Sequence, residues 1–397
     1  MNNIRKLTDS LFWVGVNDRR IALFENVYPV PTGMSYNSYV LLDEKTALFD
    51  TVDASFTHDF LENVTAALKG RTLDYLIVNH MEPDHCASIA DVIAVYPEAK
   101  IVCTAKAVGM MKQFFDFDMD SRAIPVKEGD TISLGSHELT FVMAPMVHWP
   151  EVMVTYEKTE KILFSADAFG SFGAVDGNIF ADDKGAWLSE ARRYYTNIVG
   201  KFGMSVQGLL KKAAGLEIRM ICPLHSVIWR EDLPWLIDKY LKWSSYTPEE
   251  KSVTIAYGSV YGHTEKAADI LAGKLADRGI RHISVFDVSK THPSYIIADA
   301  FRTSAIVFAS ITYNGGIFCN MDTLLHQLAA HGLTNRTAAL IQNGTWAATT
   351  SKQMGEIRGT MKNIHVLESD VTIKSALKDN QEAELDALAD AIAASLQ

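Results

Sequence analysis

Residues 73–85, LDYLIVNHMEPDH, place an apolar strand pattern directly before a cluster of polar side chains. The apolar and β-branched residues at 73–79 predict a buried β-strand. Four possible metal ligands follow it within six residues: His80, Glu82, Asp84 and His85. Pro83 forces a turn between the two halves of this cluster. Its carboxylates would repel one another and lose hydration unless a cation neutralised them, so the stretch predicts a metal site at a strand end.

Three more candidate ligands stand at or just after predicted strands. His148 follows the strand predicted at 139–144, Asp167 follows 161–165, and His225 follows 219–222. Alone, either histidine would more often be a hydrogen-bonded histidine, and the aspartate a cap, than a ligand. Because all of these residues occupy equivalent positions in the strand-loop pattern, we expect them to form one centre with the cluster at 80–85.

The chain divides into two domains by its patterns. Residues 1–246 alternate short strands with helices and predict a layered sheet-and-helix domain, with strands at 38–42, 46–50, 73–79, 100–103, 139–144, 152–156, 161–165 and 219–222 and helices at 56–68 and 105–115. A polar, proline-containing stretch at 244–251 predicts a linker. Residues 251–397 then alternate regularly, with strands at 253–257, 283–288, 305–309, 338–342 and 364–367. Five strands separated by helices predict a doubly wound parallel sheet.

A second candidate site lies at the strand ends of the 251–397 domain. The first strand leads through Gly258-Ser-Val-Tyr-Gly-His-Thr264 into a helix, and its hydroxyls, turn glycine and helix N-terminus predict an anion cradle. The loop at 259–264 resembles the flavodoxin phosphate loop, T-x-T-G-x-T, and this resemblance implies that the loops after the third and fourth strands complete a flavin crevice. With no sign of an adenine site, FMN is the expected ligand. The predicted contacts are Ser259, Val260, Tyr261, Gly262, His263, Thr264, Thr312, Tyr313, Asn314, Gly315, Gly344, Thr345 and Trp346.

The motif at 80–85 resembles the H-x-H-x-D-H motif of the metallo-β-lactamase superfamily, with Glu82 in place of the second histidine. Together with the loop at 259–264, which is similar to the T-x-T-G-x-T loop of flavodoxins, the whole chain resembles the flavodiiron proteins, or A-type flavoproteins. That resemblance implies an αββα metallo-β-lactamase-like domain followed by a flavodoxin-like domain. It also implies two non-haem irons per chain, one held by His80, Glu82 and His148, the other by Asp84, His85 and His225, with Asp167 bridging them.

The same resemblance implies a terminal reductase that passes electrons from FMN to the diiron centre and reduces O2 to water or NO to N2O. An external donor, such as rubredoxin or reduced coenzyme F420, would supply the electrons. The family forms a head-to-tail homodimer or a dimer of dimers, which implies that Trp346 approaches the partner's irons. Tyr195 matches a family tyrosine that hydrogen-bonds bound oxygen species, and Trp149 is expected to shape the pocket or to be a core aromatic.

Composition narrows the alternatives. The 37 Lys and Arg against 48 Asp and Glu give a net charge of −11, which lacks the basic surface that nucleic acid requires. The four scattered cysteines and the absence of a signal-peptide or membrane-span pattern predict a cytoplasmic protein with no membrane partner. Two other interpretations stay open: a dizinc hydrolase fused to a flavodoxin domain, and a redox sensor or electron carrier without catalysis.

Overall fold

The computed structural model describes residues 2–397, except for the side chain of Arg358. Contacts divide the chain into two compact units. The first runs to Tyr195 and includes Met204–Leu241, and the second comprises Thr196–Gly203 and Lys242–Gln397. Within the described residues, no helix combines the length and apolarity needed to cross a bilayer.

Residues 2–241 contain sixteen short strands and six complete helices, and a seventh helix extends to Ser244. The strands are β1 (Arg5–Lys6), β2 (Leu11–Trp13), β3 (Val16–Asp18), β4 (Leu23–Phe24), β5 (Tyr28–Pro29), β6 (Met34–Tyr36), β7 (Tyr39–Leu42), β8 (Thr46–Phe49), β9 (Tyr75–Ile77), β10 (Lys100–Thr104), β11 (Ala123–Val126), β12 (Thr131–Ser133), β13 (Glu138–Met143), β14 (Met153–Glu157), β15 (Ile162–Phe164) and β16 (Met220–Cys222). The helices are α1 (Thr57–Leu68), α2 (Pro83–Cys86), α3 (Ile89–Val95), α4 (Ala105–Phe114), α5 (Lys184–Tyr194), α6 (Gly203–Ala213) and α7 (Leu233–Ser244). A π-helix covers Tyr195–Val199, between α5 and α6.

Two sheets form the core of the first unit. One has the order β1-β2-β7-β8-β9-β10-β11, and the other has the order β12-β13-β14-β15-β16. The rings of Phe49 on β8 and Phe164 on β15 stack with centroids 3.7 Å apart, which joins the two sheets through their buried faces. Helix α1 packs on β7 and α4 on β10. This is the sandwich of two sheets with outer helices that the sequence predicts.

Strand direction gathers the candidate ligands at one edge of the second sheet. Strand β14 is antiparallel to both β13 and β15, and β16 is parallel to β15. Strands β13, β15 and β16 therefore run in the same direction, so the segments that follow them, with His148, Asp167 and His225, leave the sheet at the same edge.

The second unit is a doubly wound parallel sheet. Its strands are β17 (Glu250–Gly258), β18 (Ser284–Asp287), β19 (Thr303–Tyr313), β20 (Gly316–Ile317), β21 (Arg336–Asn343), β22 (Ile364–Val366) and β23 (Val371–Ile373). Its helices are α8 (His263–Asp277), α9 (Pro293–Arg302), α10 (Cys319–Ala330), α11 (Thr350–Arg358) and α12 (Glu382–Ser395). The order is β18-β17-β19-β21, followed by β22 and β23 side by side along β21, which is the 2-1-3-4-5 order of flavodoxin.

Alternation along the strands explains why helices cover both faces of this sheet. On β17, Val253 and Ile255 belong to the core with α8 and α12, whereas Ala256 belongs to the core with α9 and α10. Successive side chains of a strand point to opposite faces, so an apolar strand needs a cover on each side.

The structure also contains elements that the sequence analysis omits. Strand β23 is one of them: the predicted fifth strand at 364–367 is interrupted, and its second half resumes at Val371–Ile373 beside the end of β21. The hairpin of β4 and β5 is another. Both consist of two- or three-residue strands, which are too short to show a periodic pattern.

Candidate metal centre and flavin site

The ligand loop after β9 is shaped by its proline. Glu82 is extended, with φ −65° and ψ 141°, and Pro83 begins the short helix α2, which carries Asp84 and His85. Proline is favoured at the first position of a helix because it has no N–H to satisfy there. The turn therefore separates the cluster into a pair before the helix, His80 and Glu82, and a pair within it.

One group of candidate ligands comprises His80, Glu82, His148 and Asp167, whose ligand atoms all lie within 4.8 Å of one another. His148 Nε2 lies 3.0 Å from Glu82 Oε2 and 3.0 Å from Asp167 Oδ2. His80 Nε2 lies 3.4 Å and 3.5 Å from the same two oxygens. Two imidazoles and two carboxylates thus converge on one point that could hold a cation.

The second group comprises Asp84, His85 and His225. His85 Nε2 lies 3.0 Å from His225 Nε2 and 3.4 Å from Asp84 Oδ2. Asp167 faces this group with its other oxygen, because Oδ1 lies 3.2 Å from His85 Nε2. One buried carboxylate therefore offers Oδ2 to the first group and Oδ1 to the second, as a residue that bridges two metal ions would.

Carboxylate and carbonyl groups behind the ligands fix their orientation. His80 donates its Nδ1 proton to Glu151 Oε1 at 2.8 Å, and His225 donates its Nδ1 proton to Ser35 O at 2.9 Å. Each ring therefore presents Nε2 to the centre. Asp50, fully buried, accepts hydrogen bonds from the backbone N–H of Asn79 and His80 and holds the start of the ligand loop.

Opposite charges dominate the pKa values at the first group. Burial alone would raise the pKa of Glu82, but hydrogen bonds from His148 and His80 outweigh it and hold that pKa below its usual value. Burial likewise disfavours a charged His148, yet Asp167 and Glu82 raise its pKa to about 9. The pocket thus favours positive charge despite its burial.

The residues present fit metal ions. Among the described residues, both carboxylate oxygens of Asp84 and of Asp167, and Nε2 of His80, are buried without a hydrogen-bond partner. Burying carboxylates that accept no hydrogen bond costs several kcal/mol. Convergence of such atoms is unfavourable in a purely structural cluster and favourable around cations.

Aromatic rings enclose the second group. Phe24 meets the His225 ring edge-on at a centroid distance of 5.3 Å, and Tyr194 lies 5.4 Å from the same ring. Tyr194 is fully buried, and among the described residues its hydroxyl has no hydrogen-bond partner. Trp149 stands perpendicular to His80 at 5.5 Å. Trp149 therefore borders the site, as one of its two predicted roles requires.

Tyr195, the predicted oxygen-binding tyrosine, packs against another tyrosine. Its ring packs edge-on against Tyr240 at 5.0 Å, and Tyr240 in turn packs on Phe169. Its neighbour Tyr194 contacts the ring of the candidate ligand His225, with centroids 5.4 Å apart. Two adjacent tyrosines in Arg-Arg-Tyr-Tyr cannot be told apart from sequence, because only the helix phase decides which one faces the site.

The sequence analysis also misses Glu151, Asp50 and Glu25. Glu151 follows His148 by three residues, and Asp50 closes a predicted strand, so both had a positional signal. Glu25 had none, since it lies in the turn of the β4–β5 hairpin. Glu25 as a whole residue is exposed, but its carboxyl group lies beside Glu82. Partial burial of this carboxyl group, together with the negative charge of Glu82, raises the pKa of Glu25 to about 8.

The predicted anion cradle lies between β17 and α8. Gly262 caps α8 with φ 85°, a conformation that side chains disfavour, and Ser259 Oγ accepts a hydrogen bond from Gly262 N at 3.1 Å. The first turn of α8 has no side-chain cap. Its free N–H groups are therefore available to a phosphate, as the fit of a flavin mononucleotide requires.

Two further predicted loops lie beside this cradle at the same edge of the sheet. Thr312 Oγ1 accepts a hydrogen bond from Thr349 N at 3.2 Å, which joins the end of β19 to the loop after β21. A side chain at Gly344 would approach Ala347 O to 2.1 Å, so the second loop has room only for glycine there. The remaining predicted contacts are Val260, Tyr261, His263, Thr264, Tyr313, Asn314, Gly315, Thr345 and Trp346, all in these three segments.

Aromatic side chains at this edge are unusually exposed. Tyr261 is 87% exposed, Trp346 92% and Tyr313 47%. Large exposed rings in loops around a crevice are typical of ligand or partner contacts. The three segments thus offer a phosphate cradle next to flat apolar surfaces that could border an isoalloxazine ring.

Fold and sites together define a class: a metallo-β-lactamase-like domain with a place for two metal ions, followed by a flavodoxin-like domain. Residues 34–226 match the family model described as ODP family beta lactamase. The chain is 31% identical over 346 residues to the anaerobic nitric oxide reductase flavorubredoxin of Aeromonas hydrophila, covering 85% of this chain and 69% of that protein. It is 30% identical to the protein of the same name from Escherichia coli, with coverages of 85% and 72%.

Solved structures agree over almost the whole chain. Rubredoxin oxygen:oxidoreductase from Desulfovibrio gigas superposes with a TM-score of 0.91 at 28% identity, covering 99% of this chain and 98% of that one. The flavodiiron protein from Giardia intestinalis superposes with a TM-score of 0.93 at 26% identity, covering 100% and 98%. The chain belongs to the flavodiiron protein family.

Proposed function

We propose that this protein reduces O2 or NO, using FMN as the electron source and two non-haem irons as the site of gas reduction. The observation that carries the proposal is the position of Asp167, whose two oxygens face two separate groups of ligands. A single metal would need only one of these groups. The named activities of the relatives, nitric oxide reductase and oxygen oxidoreductase, support the same reaction class.

The proposed ligands are those of the sequence analysis. His80, Glu82 and His148 would hold one iron, the second group would hold the other, and Asp167 would serve both. A ligand set of histidines and carboxylates with open positions suits non-haem iron better than zinc, which favours nitrogen and sulfur. Such irons would bind diatomic gases and exchange single electrons, and FMN, which can carry one or two electrons, would pass them on.

Protein residues around the irons orient ligands, exclude water and donate hydrogen bonds. Tyr194 is the proposed donor to negative charge that develops on the substrate, because its buried hydroxyl is unpartnered among the described residues. Tyr195, the tyrosine predicted from sequence, is a poorer candidate, since its ring packs on Tyr240. Phe24 and Trp149 border the pocket and limit access of water.

FMN is proposed to bind at the carboxyl ends of β17, β19 and β21. Ser259, Gly262 and Thr264, with the first turn of α8, would hold the phosphate, and the loops around residues 312–315 and 344–346 would border the ring system. The support for this assignment is the uncapped start of α8 together with the exposed rings beside it.

A head-to-tail homodimer is proposed to bring one chain's FMN close to the partner's irons. Each site carries exposed apolar side chains of its own: Trp346 and Tyr261 at the flavin loops, and Leu23 and Val27 on the hairpin that contributes Phe24 to the metal pocket. Exposed apolar groups of this size favour association. A dimer of dimers is compatible with the same contact.

Mixed dimers test this arrangement. One chain carries Gly344→Val, which blocks the flavin loop, and its partner carries Asp167→Asn, which removes the bridging carboxylate. Head-to-tail pairing leaves one complete pair of sites, so the mixed dimer should regain about half of the wild-type activity per dimer. An inactive mixed dimer, with each variant retaining its remaining cofactor, would refute electron transfer between chains.

The electron donor is proposed to be an external rubredoxin-type protein, with reduced coenzyme F420 as the other possibility. Activity is tested by following O2 and NO with electrodes while chemically reduced rubredoxin is supplied to the iron- and FMN-loaded protein. Consumption of either gas that depends on both cofactors supports the proposal. Hydrolysis of an ester or lactam by zinc-loaded protein, without gas consumption by the iron form, would support the dizinc alternative, which the named relatives do not favour.

A further inference from the structure

A segment beyond the three predicted flavin loops is tied into the same site. Strand β23 runs parallel to the end of β21, with Ile373 opposite Asn343, and it delivers Ser375 beside the loop that carries Trp346. Ser375 has φ 69°, in the left-handed region that a serine rarely adopts. Such a conformation persists where surrounding contacts hold it, and it is common at binding sites.

Asn343 provides those contacts. Its Oδ1 accepts a hydrogen bond from Ser375 N at 3.1 Å, and its Nδ2 donates to Ser375 O at 3.0 Å. The same Nδ2 lies 3.3 Å from Thr264 Oγ1, in the first turn of α8. Asn343 is only 2% exposed. One buried amide thus joins the phosphate cradle to the segment after β23.

Ser375 also contacts the loop that is proposed to border the flavin ring. Its hydroxyl lies 3.1 Å from the hydroxyl of Thr345, the residue directly before Trp346. Thr345 is itself exposed, so this contact restrains a loop that burial alone does not hold. The chain of contacts therefore runs from Thr264 through Asn343 and Ser375 to Thr345.

We propose that Asn343 and Ser375 are positioning residues for FMN. This inference rests on the flavin site proposed above. The pair holds the phosphate cradle and the ring-binding loop at a fixed separation before the flavin arrives, so less conformational freedom is lost on binding. Asn343 acts on the phosphate side through Thr264, and Ser375 acts on the ring side through Thr345.

The test compares FMN with riboflavin, which lacks the phosphate, in full-length protein stripped of flavin. Ser375→Gly keeps the left-handed backbone accessible and preserves the bonds from Asn343 to the backbone, but removes the hydroxyl. We expect it to weaken FMN and riboflavin equally, by about three- to tenfold in Kd, as the loss of one hydrogen bond predicts. Asn343→Ala should weaken FMN more than riboflavin, because it also releases Thr264.

Ser252→Ala is the matched control. Its hydroxyl likewise makes hydrogen bonds within this domain, but to the backbone carbonyls of Arg281 and His282, near the opposite end of the sheet. It should leave both affinities unchanged, and thermal melting of the flavin-free proteins checks that S375G folds as wild type does. Unchanged flavin affinity in S375G, or an equal loss in S252A, would overturn the inference. Absence of FMN binding by wild-type protein would instead refute the flavin site itself.

Discussion

Glu151 gives the sharpest prediction at the metal centre. Its side chain is fully buried, and Oε1 accepts one hydrogen bond from His80 Nδ1 at 2.8 Å and another from Met81 N at 2.9 Å. The carboxylate therefore fixes the tautomer of a proposed ligand and makes its Nε2 a stronger donor to metal. In Glu151→Gln, the neutral amide removes the charge that polarises the ring.

We expect this substitution to weaken metal binding at the group containing His80 by about ten- to a hundredfold, the usual cost of losing such a partner. That factor corresponds to about 1.4–2.8 kcal/mol. The assay is competition for iron(II) against a chelator under anaerobic conditions, with one iron per chain expected to leave more readily than the other.

Glu157→Gln is the matched control. Glu157 is also fully buried and accepts a hydrogen bond from a histidine, His137, at 3.0 Å, but this pair lies outside the ligand groups. Both variants lose stability through a weakened charge-assisted bond, yet only Glu151→Gln should lose metal affinity. Equal chelator sensitivity of the two variants, or wild-type affinity in Glu151→Gln, would refute the reasoning.

Three further predictions concern the same centre. Tyr194→Phe should lower kcat for gas reduction by at least about tenfold, because a hydroxyl donor is lost. Tyr195→Phe should change kcat by less than about twofold. Equal effects of the two substitutions in steady-state assays would reject Tyr194 as the donor. Metal affinity should rise with pH up to about pH 9, because the pKa of His148 in the metal-free protein is raised to about 9 and its proton must leave before Nε2 can bind a metal. Calorimetry in buffers of different ionisation enthalpy would detect the released proton. A pH-independent metal affinity would contradict the assignment of His148 as a ligand. Asp50→Asn should lower the free energy of unfolding by about 2–3 kcal/mol, because an N–H group would face the donors of Asn79. Denaturant unfolding measures this change. Unchanged stability would argue against the role of Asp50 in anchoring the ligand loop.

The sequence was sufficient to predict the fold class and to select seven side chains that the structure brings together in two groups of candidate ligands. The strand-loop pattern determined them, because strands that run in the same direction end at one edge, and His148, Asp167 and His225 meet the cluster at 80–85 there. The sequence did not predict that the last strand is broken into β22 and β23, because a break within one edge strand leaves no periodic signal. That break is what delivers Ser375 to the flavin loops.

Side-chain direction limited the rest of the prediction. Tyr194 and Tyr195 differ by one position, and only the packing of α5 and the π-helix after it decides which faces the pocket. Glu25 lies in a hairpin turn with no motif around it. Glu151 is more instructive, because a carboxylate near a ligand histidine is a recognisable partner, and a systematic search near each ligand would have found it.

Counting iron, zinc and FMN in protein prepared anaerobically tests the assignment of both cofactors. We expect two irons and one FMN per chain, with both irons lost in Asp167→Asn and the flavin retained. Two zincs per chain, still present when iron is supplied in excess during expression, would contradict the reductase and redirect attention to hydrolysis.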